Sequence, residues 1–188
     1  MVIEIRVLFG HPGVTDYGLT PRFRLGQAGD GCANLPGGKI QIDPDLLDDP
    51  AMLDQALAHE IGHAIRPEIN WKYDPEMTRE EYIDANTQLN LEDEAEALMM
   101  EFAVRDDLLS GPNPIDIGVS GSTSKQKLAL YEQYRAGEID RAAMIEGAAL
   151  LIGTEKPSKT NPGVEDYVDH YGESHAEAWD MAHSGGAQ

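Results

Sequence analysis

Residues 49–67 read DPAMLDQALAHEIGHAIRP, and this stretch decides the fold. Asp49 can accept hydrogen bonds from the free N–H groups of a first helical turn, and Pro50 sits where its missing N–H costs nothing. Pro67 cannot continue a helix and restricts the residue before it, so the spacing predicts a helix that runs to Arg66. Within it Met52, Leu53, Ala56, Leu57, Ile61, Ala64 and Ile65 recur at three- and four-residue spacing and give one buried face. His59 and His63 stand four apart, one turn above each other, so their ring nitrogens can converge on a metal at about 2.0–2.1 Å. Glu60, about 100° around the helix, can hold a metal-bound water and take its proton.

Upstream of this helix, residues 2–9 are rich in Val, Ile and Phe and end at Gly10-His11-Pro12-Gly13, the pattern of a strand stopped by turn residues. Thr20 to Leu25 is a second short strand candidate, and Lys39-Ile40-Gln41-Ile42-Asp43 alternates polar and apolar as a third. Downstream, Thr78 and Glu81 form a capping box for a short helix, and a longer helix is expected from about Leu91 to Leu109. Residues 111–124, with two prolines and several Gly and Ser, read as a loop. Helices are expected over residues 125–136 and 141–152, each ended by a glycine, and a last one capped by Ser174 and Glu177. The 188 residues fit one domain, residues 1–188, with 184–188 as a flexible tail. The expected class is α+β: a small, mostly antiparallel sheet packed on the histidine-bearing helix, followed by a helical C-terminal half.

A catalytic zinc wants three protein ligands and one open position. The metzincin arrangement needs Gly and His three and six residues beyond the second histidine, where this chain has Arg66 and Ile69. The remaining common arrangement takes a glutamate from a later helix, as in His2Glu sites, and the dense candidate is Glu92-Asp93-Glu94-Ala95-Glu96. With Leu91 at 0° and about 100° per residue, Leu91, Ala95, Leu98, Met99 and Phe102 define an apolar arc. Glu92 falls inside that arc, Glu96 on its edge, Glu94 on the far side and Asp93 towards solvent. A carboxylate within an apolar stripe needs a counter-charge, which zinc would supply, so Glu92 is the expected third ligand with His59 and His63. Glu96 is placed to accept a hydrogen bond from a ligating histidine.

The run from Ile40 to Ile65, with HEIGH at 59–63 and Glu92-x-x-Ala95 followed by an acid at 96, resembles the gluzincin metallopeptidases. Glu96 stands where that family usually has Asp. Residues Gly137 to Ala143, Ile152-Gly153, Pro157-Ser158 and Tyr167-x-x-His170-Tyr171 are similar to metallopeptidase toxin domains of bacterial polymorphic effectors of the Rhs and VgrG type. The resemblance implies a zincin fold, one catalytic Zn2+, hydrolysis of a protein or peptide substrate, delivery by a dedicated secretion system, and a cognate immunity protein. It also implies an oxyanion donor from outside the histidine helix, for which Tyr167, His170, Tyr171 and His175 are available. Two other readings stay open: an intracellular regulatory protease that cuts a repressor, and a zinc-binding interaction module without turnover.

Composition narrows the partners. Lys and Arg number 14 against 34 Asp and Glu, a net charge of -20 that repels phosphate backbones and anionic lipid. Nucleic acid and membrane insertion are therefore not expected, and a protein inhibitor would need a basic face. The single cysteine, Cys32, excludes an intramolecular disulfide. The N-terminal stretch carries Glu4 and Arg6 and has no continuous apolar run, so no signal peptide is expected, and without dedicated export the protein would be cytoplasmic.

Overall fold

The computed structural model describes residues 22–27, 32–35, 39–157 and 163–184. The strand expected over residues 2–9, together with His11, lies outside the described residues, as do residues 185–188 of the expected tail. Three short strands come first: β1 (Arg22–Leu25), β2 (Ala33–Leu35) and β3 (Lys39–Ile42). A 3-10 turn, Pro44–Asp48, leads into α1 (Pro50–Ala64), and then come α2 (Arg79–Ser110), α3 (Ser124–Arg135), α4 (Arg141–Gly153) and α5 (Tyr167–His183).

The expected class is corrected by this architecture. Among the described residues helix far outweighs strand, which is confined to three segments of three or four residues, and the sheet is not mostly antiparallel. Its order is β1-β3-β2, with β3 antiparallel to β2 and parallel to β1. The physical reason lies in the connections. Each of the two links reverses the chain, so β1 and β3 run the same way, and β3 enters between the other two instead of adding beside β2. Along β3 the residues alternate as expected: Ile40 and Ile42 are fully buried and pack with Leu57 and Ile61 of α1.

Helix α1 starts where the sequence predicts, with Asp49 accepting from the Met52 amide at 3.1 Å. Helix α2 differs. The short helix and the longer one form a single 32-residue helix, opened by the Thr78–Glu81 capping box, because nothing between 79 and 110 is Gly or Pro. The last helix also begins earlier than expected. Asp166 caps it by accepting from the Asp169 amide, and Ser174 sits inside it with its hydroxyl turned back to the His170 carbonyl.

α2 is the axis of the molecule, in contact with α1, α4 and α5. One side carries Leu91, Ala95, Leu98 and Phe102 into a core with Met144, Ile145, Ala148 and Ile152 of α4. The Phe102 ring stacks on Tyr131 of α3, with centroids 4.1 Å apart and planes 3° from parallel. Each such large side chain, fully buried, is worth about 1.5–3 kcal/mol. A buried ion pair closes this half: Lys127 Nζ donates to Glu155 Oε2 at 3.0 Å, and the other Glu155 oxygen accepts from the Thr123 amide and hydroxyl. At the opposite end, Asn86 fastens the segment that links α1 to α2. Its side chain accepts from the Lys72 amide at 2.8 Å and donates to the Lys72 carbonyl at 3.0 Å, as a neighbouring strand would. No described helix is long and apolar enough to cross a membrane.

Candidate metal centre

The two histidines leave α1 on the side that meets α2. Gly62, between them, is at the crossing itself: a Cβ there would lie 2.7 Å from Ala97 Cα and 2.9 Å from the Ala97 carbonyl oxygen. The absence of a side chain at 62 and the small one at 97 let the helix backbones approach closely enough for short acidic side chains of α2 to reach the imidazoles.

Those acids are Glu94, Asp93 and Glu101. Glu94 Oε2 is 3.0 Å from His59 Nε2 and 3.7 Å from His63 Nε2, and the two Nε2 atoms are 3.2 Å apart. His63 Nδ1 donates to Asp93 Oδ2 at 2.7 Å, and Arg66 holds the other Asp93 oxygen at 2.7 Å. His59 Nδ1 approaches the fully buried Glu101 to 3.7 Å, too long for a hydrogen bond, while the Glu101 oxygens accept from the Ser120 amide and hydroxyl. In the neutral imidazoles a proton on each Nδ1 leaves each Nε2 lone pair aimed at the same point as Glu94 Oε2.

Glu92, the acid expected at the histidines, is not part of this group. Its Oε1 accepts from Gln88 one turn earlier on α2. Glu96 is also elsewhere, paired through both oxygens with the Arg141 guanidinium on α4. The only metal-capable group among the described residues is His59, His63 and Glu94. Sequence reasoning missed Glu94 as well as Asp93 and Glu101. A signal was present: Asn86, Asn90, Glu94, Ala97 and Glu101 recur at three- and four-residue spacing, a polar stripe on the side of α2 away from its apolar arc.

The chain matches no protein-family model, no curated protein and no solved structure. What the site can do therefore follows from its own chemistry.

Burial works against a charged His59, but the Glu101 and Glu94 carboxylates outweigh it and hold its pKa up to about 10. For His63, burial is outweighed by Asp93 and Glu94, which hold it up to about 9. Burial would raise the Glu94 carboxyl, yet the two imidazoles keep it well below the usual carboxylate range. The site thus concentrates negative charge around two rings whose Nε2 atoms are 3.2 Å apart. Of the four aromatic candidates, Tyr171 reaches the centre, its hydroxyl donating to Glu94 Oε1 at 2.5 Å. Tyr167 has its phenol pushed up by burial and by the charges of Glu94, Glu155 and Glu60. His175 turns to Asn90 at 2.7 Å, and the His170 ring lies tilted against Tyr171, with centroids 5.1 Å apart. Glu60, half-buried, is on α1 next to His59, and its charge helps to push up the Tyr167 phenol and the Cys32 thiol, after burial in both cases.

Proposed function

We propose that the chain is a zinc-dependent metallopeptidase in which His59, His63 and Glu94 hold one ion and Glu60 moves the proton. One observation carries this reading: three donor atoms of suitable type converge, with edges of 3.0, 3.2 and 3.7 Å. A tetrahedral ion with bonds of about 2.0–2.1 Å sets such edges at about 3.3–3.4 Å. Two imidazole nitrogens and one carboxylate oxygen are also a donor set that suits zinc and leaves a fourth position open.

Bound there, zinc would supply the Lewis acidity that activates water for attack and polarises a carbonyl. The chain's own residues do the rest. Glu60 accepts the proton of the attacking water and passes it to the leaving amine. Asp93 keeps the His63 Nδ1 proton on the outer side, so that His63 Nε2 faces inward, and the buried Glu101 charge near His59 Nδ1 favours the same tautomer there. Arg66 neutralises Asp93 and stops it from turning inward as a competing ligand. The resemblance to effector toxin domains supplies the biological setting: hydrolysis inside a target bacterium, restrained in the producer by an inhibitor with a basic face.

Metal analysis and a peptidase assay on the same samples test this. Purified protein is expected to carry about one zinc and to lose hydrolysis with a chelator. Glu60→Gln should keep the zinc and lose at least about 100-fold in rate, the usual worth of a general base. Expressed in bacteria, the native chain should stop growth in cytoplasm or periplasm and Glu60→Gln should not. Cleavage by Glu60→Gln at the native rate overturns the mechanism.

A further inference from the structure

The two oxygens of Glu94 have different partners. Oε2 faces His59 and His63, and Oε1 accepts the Tyr171 hydroxyl at 2.5 Å. A carboxylate free to turn can hold an ion through one oxygen or both, and the second mode takes up the position that water and substrate need. With Oε1 occupied by a phenol, Oε2 alone remains for the ion.

We infer that Tyr171 is a positioning residue that limits Glu94 to one-oxygen ligation, and that α5 delivers it as a docked strut on the metal centre. The inference rests on the metal reading above. The register of α5 on α2 supports it independently of any ion. One turn beyond Tyr171, His175 meets Asn90, which is one turn before Glu94. Further along, Asp180 receives both arms of Arg79 at 2.9 Å. The first two contacts step by one turn on each of the two antiparallel helices and the Arg79–Asp180 pair ties their far end, so the hydroxyl is presented by a fixed element and not by a loop. A Cβ added at Gly172, beside Tyr171, would meet Ile83 and Thr87 of α2 at 3.9 and 4.0 Å, ordinary van der Waals distance, so the helices pack there without crowding.

Cobalt(II) titration followed in the visible spectrum tests this, because a four-coordinate cobalt ion absorbs more strongly than a five-coordinate one. Native protein should give the intense spectrum. Tyr171→Phe should bind cobalt about 10–100-fold more weakly, the usual loss when a partner of a ligand is removed, and with lower absorption per bound ion. His175→Gln loosens α5 one turn away without touching Glu94, and should keep the native spectrum. Native affinity and absorption in Tyr171→Phe overturn the inference. The same loss in His175→Gln also overturns it, because the effect then belongs to helix docking at large. A native protein that takes up no cobalt removes the metal centre itself, and this inference with it.

Discussion

Two carboxylates of α2, Glu94 and Glu92, are two residues apart and about 200° apart around the helix. Glu94 enters the gap beside the histidines, whereas Glu92 stays with Gln88 on its own helix. Their amides should therefore differ in kind. Glu94→Gln should leave the purified protein without zinc, while Glu92→Gln and Glu96→Gln retain about one ion per chain, as measured by metal content; zinc lost from Glu92→Gln and kept by Glu94→Gln would reverse the assignment. The histidine pair was legible because an i, i+4 spacing fixes two side chains on one face whatever surrounds the helix. The third donor depends on which side of a distant helix meets α1. With one buried side, the apolar one, Glu92 is the acid that faces inward, but α2 buries a second side at Ala97 and Glu101.

At the scale of elements, the α1–α2 crossing sets the site. Both backbones meet at Gly62 and Ala97, and the obstructing atoms at Ala97 are main-chain, so they cannot swing away. Gly62→Ala should separate the helices, destabilise the fold by about 1–3 kcal/mol as overpacking does, and weaken zinc binding. Thermal melting with a zinc titration reads both; an unchanged melt together with unchanged affinity would contradict this crossing. The start of α1 was readable since a cap acts locally, while its end comes at Ala64, two residues before the Arg66 expected from Pro67. The full length of α2 was not readable, because residues 84–90 are mostly polar and so look like an interruption. Their polarity has another origin: Asn86 holds Lys72, and Asn90 holds His175.

Across the whole molecule, the sheet order escaped the sequence because strand pairing is a long-range choice, and β3 inserts between two strands that precede it. The helical half contains its own test of independence from the metal site. Lys127 and Glu155 are 1% and 5% exposed and tie the start of α3 to the end of α4. Lys127→Met leaves Glu155 without its cation and should cost about 3–5 kcal/mol, with zinc content per folded molecule unchanged; loss of zinc alongside would show that the two halves are coupled. The two working sides of α2 also bear on where such a chain can grow or shrink. One residue inserted in α2 turns everything beyond it by about 100°, and no single rotation restores both the α4 core and the acids facing α1. Inside this helix, gaps are thus forbidden twice over, whereas the links on either side of it, at 67–77 and 112–122, can change length without altering that register. A chain of quite different size can keep this centre, provided that the spacing from Asn86 to Glu101 does not change.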